Sequence, residues 1–200
     1  MKQRTQTGFT LYELLTTLLV VGVVLSLGVP NMQAFRLNST MTSTANDLHS
    51  TLHLARSEAS RTKTNISICA SADSAAAVPT CGGELEAGWV VFEDRDGDIV
   101  IDAGEPIIKR FGPVQQNIVI NTPGPDDYFS FASTGVGRTP TTGPMFGAGT
   151  APLSVAVMCD DRGNSPGGSG RSTARVLVIT PLGRATILSE KDQVDFHGGC

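Results

Sequence analysis

Residues Gly8–Pro30 read GFTLYELLTTLLVVGVVLSLGVP, an apolar run with one carboxylate near its start. From Phe9 to Val29 the only charged side chain is Glu13. As a helix rising ~1.5 Å per residue, this segment reaches roughly 31 Å, the thickness of a bilayer's hydrocarbon core. Lys2 and Arg4 precede it, and no acid occurs among the first twelve residues. That charge balance keeps the extreme N-terminus in the cytoplasm and sends Asn31 onward across the membrane. A plain anchor needs neither Glu13 nor Gly8 just ahead of the run.

An ordinary secretory signal is the competing reading. Ser26-Leu27-Gly28 is a small-x-small triplet that a signal peptidase accepts, and the mature chain would then start near Val29 as a secreted β domain. Against it stand Glu13 inside the run and helix signals that continue past Pro30. Pro30 removes one backbone donor and is expected to kink the helix rather than end it. Beyond it, Met41, Ala45, Leu48, Leu52, Ala55 and Ala59 recur at alternating spacings of four and three. Such a stripe predicts an amphipathic helix lying on something apolar. We read one long helix over residues 9–64, with 9–29 spanning the membrane.

The remaining residues, 65–200, read as short strands between turn signals. The expected strands are Ile66–Ala70, Trp89–Phe92, Pro106–Phe111, Ile118–Ile120, Tyr128–Ala132, Leu153–Met158, Arg175–Ile179 and Ala185–Leu188. With 22 Gly and 11 Pro and no second helical pattern, the expected class is α+β: a long helix packed on an antiparallel sheet or pair of sheets. Four cysteines, Cys69, Cys81, Cys159 and Cys200, have no C-x-x-C spacing, which excludes zinc-ribbon and thioredoxin-type sites. Outside the cytoplasm they form disulfides, and of three possible pairings we favour Cys69–Cys81 and Cys159–Cys200. Each would stabilise the fold by ~3 kcal/mol. Free buried thiols are the alternative.

Gly8-Phe9-Thr10-Leu11-Tyr12-Glu13-Leu14 resembles the processing signature of type IV pilins and pseudopilins. The resemblance implies a leader of residues 1–8, cut between Gly8 and Phe9 by a prepilin peptidase, and N-methylation of Phe9. Glu13 becomes the fifth mature residue and Pro30 the twenty-second, where pilins often carry a helix-bending proline. Tyr12 departs from the family's usual aliphatic residue. A carboxylate among lipid tails or packed helices is costly. The amine exposed at Phe9 of a neighbouring subunit would neutralise Glu13 and select the register of assembly. The head resembles the GspH/FimT-type minor pseudopilins in "LARSEASRTKTNISIC", "GWVVFEDRDGD…DAGEPI", "FSFASTGVGR" and "VLVITPLGRATI". That family implies a pilin-like fold and a low-copy subunit that primes or caps a type II secretion pseudopilus or a type IV pilus. Its partners would be other pilin or pseudopilin subunits, the peptidase, an inner-membrane assembly platform and, for a secretion machine, secreted cargo. The implied location is the bacterial inner membrane, single-pass, with a periplasmic head.

Chemistry beyond assembly has thin support. Asp94, Asp96, Asp98, Asp102 and Glu105 occupy positions 1, 3, 5, 9 and 12 of a twelve-residue window, as in an EF-hand calcium loop. Ile99 stands where that loop needs glycine, and Asp-Gly is also common hairpin chemistry. The turn reading is preferred and calcium is the alternative; no other cofactor is expected. Some family members bind DNA through Gly-Arg-x-Arg. Here the match is Gly183-Arg184-Ala185-Thr186, without the second arginine, and Arg171 and Arg175 lie upstream. Loss of Lys2 and Arg4 from 15 basic side chains leaves 13 against 19 acids, which disfavours nucleic acid. His49 and His53 share a helix face but have no third ligand nearby, and read as solvated. Arg162 to Arg171, rich in Gly and Ser, reads as a flexible loop and lacks the Gly-Lys-Ser/Thr ending of a phosphate cradle. No nucleophile motif occurs, so no enzyme is expected.

Overall fold

The computed structural model describes residues 8–115, 117–122, 127–138, 154–167 and 170–200. The leader, with Lys2 and Arg4, lies outside them except for Gly8, as do Leu153 and the side chain of Pro30. Helix α1 (Leu11–Thr62) is continuous, two residues shorter at each end than the 9–64 expected from sequence. The chain divides into two units, Met1–Ser39 and Thr40–Cys200.

The first unit is helix with its apolar side chains outward: Leu11, Leu14, Leu18, Val20, Val24, Leu27, Met32 and Phe35 are each more than half exposed. Helix α1 is long and apolar enough to cross a membrane. Three of its hydroxyls are satisfied internally. Thr16, Thr17 and Ser26 donate to the carbonyls of Glu13, Leu14 and Val23 at 2.8–3.0 Å. Asn31 Nδ2 donates to the Leu27 carbonyl at 3.0 Å. Polar groups paired within the helix add little cost in a medium without hydrogen bonds.

Among its described residues the second unit carries nine strands in chain order: β1 (Ile66–Ala70), β2 (Trp89–Glu93), β3 (Ile107–Phe111), β4 (Val119–Asn121), β5 (Tyr128–Phe131), β6 (Gly137–Arg138), β7 (Val155–Cys159), β8 (Arg171–Ile179) and β9 (Ala185–Glu190). They form two antiparallel sheets, β3-β2-β1-β5-β6 and β4-β7-β8-β9. A single 3-10 turn, Leu85–Ala87, and a short helix α2 (Lys191–Phe196) complete the described elements.

The stripe Met41, Ala45, Leu48, Leu52, Ala55, Ala59 is wholly buried, while Ser43, Asn46, Asp47, Ser50, Arg56 and Arg61 face outward. It shares one core with residues of both sheets, among them Ile66, Ile68, Trp89, Val91, Phe129, Phe131, Met158 and Leu177. Trp89 anchors the contact, donating its indole Nε1–H to Thr51 Oγ1 at 3.0 Å and stacking on Phe111 at 4.9 Å. Thr51 is fully buried, so the sequence stripe is wider than its apolar members alone.

Within the Gly-rich stretch after Arg162, Gly163 and Ser165 are hydrogen-bonded to β8. Thr173 Oγ1 donates to the Gly163 carbonyl at 2.7 Å, and the Thr173 N–H to the Ser165 carbonyl at 3.0 Å. These bonds lengthen β8 upstream of the expected Arg175 start. Replacing Leu52 with Ala should destabilise the head by about 2–5 kcal/mol in urea denaturation of the full chain in detergent, whereas Arg56→Ala should stay within about 0.5 kcal/mol.

Candidate functional site

Two groups of residues stand out: the start of α1 and the acidic loop after β2. Thr10 immediately precedes α1, and Glu13 is its third residue. Thr10 N–H donates to Glu13 Oε2 at 2.9 Å, and Glu13 N–H donates to Thr10 Oγ1 at 3.2 Å. The Thr10 hydroxyl also donates to Glu13 Oε2 at 3.0 Å. This is a reciprocal capping box, which satisfies two of the helix's unpaired amides and places an anion at the positive end of its dipole. Sequence reading missed Thr10; the Thr-x-x-Glu spacing ahead of an apolar run was the available signal. Phe9 is 90% exposed and Gly8 has open space around it, so the bond between them is accessible.

In the acidic loop, one oxygen from each of Asp94, Asp96 and Asp98 lies within 4.8 Å of the others. Asp102 and Glu105 are not in that tight group, although Glu105 closes the loop. It accepts the Arg95 N–H at 2.7 Å through Oε1 and the Asp102 N–H at 3.1 Å through Oε2. Asp94 is fully buried, and the Ser67 hydroxyl donates to its Oδ2. Burial raises Asp98 above the usual carboxylate range, aided by the charges of Asp96, Asp102 and Asp94. Glu105 is raised too, by burial first and then by Asp94 and Asp96. Ile99 adopts φ 59°, the left-handed backbone that glycine would supply, and its side chain is buried against Phe92 and Tyr128. The objection that position six lacks glycine therefore falls, because packing holds an isoleucine in that conformation.

Arg175 lies within charge range of Arg171 and Arg162, whereas Arg184 stands apart from them. Arg171 opens β8 opposite Glu190, while Arg184 lies in the β8–β9 turn at the other end of that hairpin. Arg175 Nη1 donates to the carbonyls of Ser172 and Ala174, and burial pulls the guanidinium below its usual range, with Arg171 and Arg162 adding to the shift. Arg162 is engaged by Asp160. Gly183 is required by its φ of 77° and by Phe131, whose ring would meet a Cβ at 2.2 Å. Its motif-like position thus has a packing cause.

Cys69 is bonded to Cys81 and Cys159 to Cys200, with Cα–Cα distances of 5.5 and 5.8 Å. The second bond fastens the last residue beside α2. His49 and His53 face each other, Nε2 to Nε2 at 3.3 Å, on the outward flank of α1. Asp127, at the start of β5, is buried near Glu84 and Glu86. Lost hydration raises its carboxyl above the usual range, and the two glutamates add to this; the Thr122 side chain and Leu85 N–H pull the other way.

A family model described as type II transport protein GspH matches residues 44–183. No curated protein matches the chain. Among solved structures, the type IV minor pilin FimU of Pseudomonas aeruginosa is similar in two crystal forms. One is 19% identical with a TM-score of 0.49, over 79% of this chain and 94% of that one. The other is 18% identical with a TM-score of 0.45, over 74% and 91%.

A raised folded pKa means that the native head binds a proton at Asp127 that the unfolded chain releases, so this group's contribution is lost as pH rises. The loss begins near the ordinary aspartate value of 3.8 and ends above the raised folded value. Asp127→Asn should lack this component, and should gain on the wild type across that window in urea melts taken at successive pH values. An unchanged difference at all pH values would mean the carboxylate is not strained.

Proposed function

Because the chain belongs to the GspH family, a structural pilin type, we propose that it is a minor pilin or pseudopilin that primes or caps a type II secretion pseudopilus or a type IV pilus. The observation that carries the reading is the helix of residues 11–39. It turns leucines and valines outward on every side, and only lipid or other helices make that arrangement stable. On this reading a prepilin peptidase cuts Gly8–Phe9, Phe9 is N-methylated, and the helix is stored in the inner membrane with the head in the periplasm. An assembly platform then moves it into a filament beside other subunits. The work is structural, without catalysis. The continuous helix through Ser26–Asn31 supports retention of the segment over ordinary signal cleavage.

The matched family region starts at residue 44, so the processing proposal rests on the N-terminal residues themselves. Within a single chain Glu13 is already held by Thr10, and the positive amine created at Phe9 would lie one residue from that cap. An incoming subunit's amine must then add to a carboxylate that is positioned rather than mobile, which suits register selection. Arg184 sits at the far end of the β8–β9 hairpin from Arg171, and Arg175 spends Nη1 on backbone carbonyls, so the DNA-binding alternative gains no support from this hairpin.

Two roles of Glu13, cap and charge, are separable. Glutamine preserves the capping box, whereas alanine removes both cap and charge. If charge pairing selects the register, Glu13→Gln and Glu13→Ala should both be cleaved but fail to enter filaments, measured by immunoblotting sheared filament fractions. Normal incorporation of Glu13→Gln would reduce Glu13 to a cap. Mass spectrometry of the mature N-terminus should find methylated Phe9; a start near Val29 would overturn the proposal.

A further inference from the structure

We propose that the loop Asp94–Glu105 is a calcium site built on Asp94, Asp96 and Asp98. Neither the assembly role nor the membrane helix requires it. Two oxygens on one calcium at 2.3–2.6 Å can be no more than about 5 Å apart, and the three aspartates meet that limit.

The second observation is a buried group left wanting. Asp94 has no exposed surface, and among the described residues its Oδ1 has no hydrogen-bond partner. The surroundings account for the other oxygen alone: the Ser67 hydroxyl donates to Oδ2, and Arg138 Nη1 lies 3.9 Å from it. That separation is too long for a hydrogen bond, and Nη1 is itself unsatisfied. Arg138 instead spends Nη2 on the Gly97 carbonyl at 2.9 Å. A buried carboxylate oxygen with no donor costs the full loss of its hydration. An ion shared with Asp96 and Asp98 would supply what is missing.

The charge count agrees. Residues 93–105 carry Glu93, Asp94, Asp96, Asp98, Asp102 and Glu105 against Arg95 alone, and Arg95 is taken by Glu93 at 3.0 Å. Arg138 offsets one further acid. The donor set is all oxygen, with no thiolate or imidazole, which selects a hard cation over zinc. Magnesium holds its water and demands near-ideal octahedra, whereas calcium accepts irregular cages of carboxylate, carbonyl and water. Glu105 keeps lone pairs free beyond the two amides it accepts.

The test is calorimetric titration of the full chain in detergent with calcium chloride, paired with thermal unfolding. One equivalent should bind with a Kd of roughly 10⁻⁴–10⁻³ M, the range of extracellular modules. At about 10 mM calcium the Tm should rise by about 5 °C. The half-exposed Asp98 and the exposed Asp96 are safe to alter, so Asp96→Asn and Asp98→Asn should keep the fold by circular dichroism and weaken binding at least about ten-fold. No heat and no shift at that concentration would overturn the proposal. So would unchanged binding in both variants, or an equal shift with magnesium chloride, which would mark charge screening.

Discussion

Both sheets of the head close on one narrow strip of helix, and that packing is the constraint the rest of the fold obeys. Alternation of Ala45, Ala55 and Ala59 with Met41, Leu48 and Leu52 lets strands approach closely at the alanines and interdigitate at the larger residues. Apolar contact alone would not fix the helix about its axis. Trp89 supplies the directional element, because its indole N–H must find Thr51 once both are buried. A rotation of the helix by one residue would break that bond and turn Arg56 or Asn46 into the core.

Elements with strong periodicity were legible from sequence, and those held by remote partners were not. The stripe and the apolar strands β1, β2, β5 and β7 carry their burial pattern locally. Strand β6 is two residues long and exists through its pairing with Ser130 and Phe131. Helix α2 has a single buried residue, Val194, and depends on the Lys191–Asp195 pair and the nearby Cys159–Cys200 bond. The polar start of β8 reads as loop because its partners are remote backbone groups, the Ser165 carbonyl for the Thr173 N–H and the Gly167 N–H for the Arg171 carbonyl. The structure joins the cysteine pairs favoured from sequence, Cys69–Cys81 and Cys159–Cys200. In the acidic loop the carboxylate spacing was readable, but the burial of Asp94 was not: it follows from Ser67 and Arg138, 27 residues before it and 44 after.

Glu13 and Asp94 show two ways of holding a carboxylate where water is scarce. Glu13 is satisfied by its own neighbourhood, three residues away, so its geometry forms with the first turn of helix and needs no tertiary structure. Asp94 depends on strands β1 and β6 and is still incompletely served. Local satisfaction would suit the proposed passage of Glu13 from lipid to packed helices. Incomplete satisfaction would suit the proposed uptake of a cation by Asp94 after the head has folded.

The same backbone of α1 is asked to be stable in two media. From Leu14 to Phe35 no charged residue occurs, a length of about 33 Å, and Glu13 and Arg36 mark its ends. From Thr40 onward one face is apolar and the other polar, so that part is satisfied by the head and water together. The first part has no such compromise. Withdrawing it from lipid into water would expose leucine and valine side chains at about 25 cal/mol for every Å² uncovered. The proposed transfer into a filament is therefore feasible only if apolar neighbours replace lipid on nearly every side. A partner binding one face of this helix would not suffice, and that requirement points to a bundle of like helices.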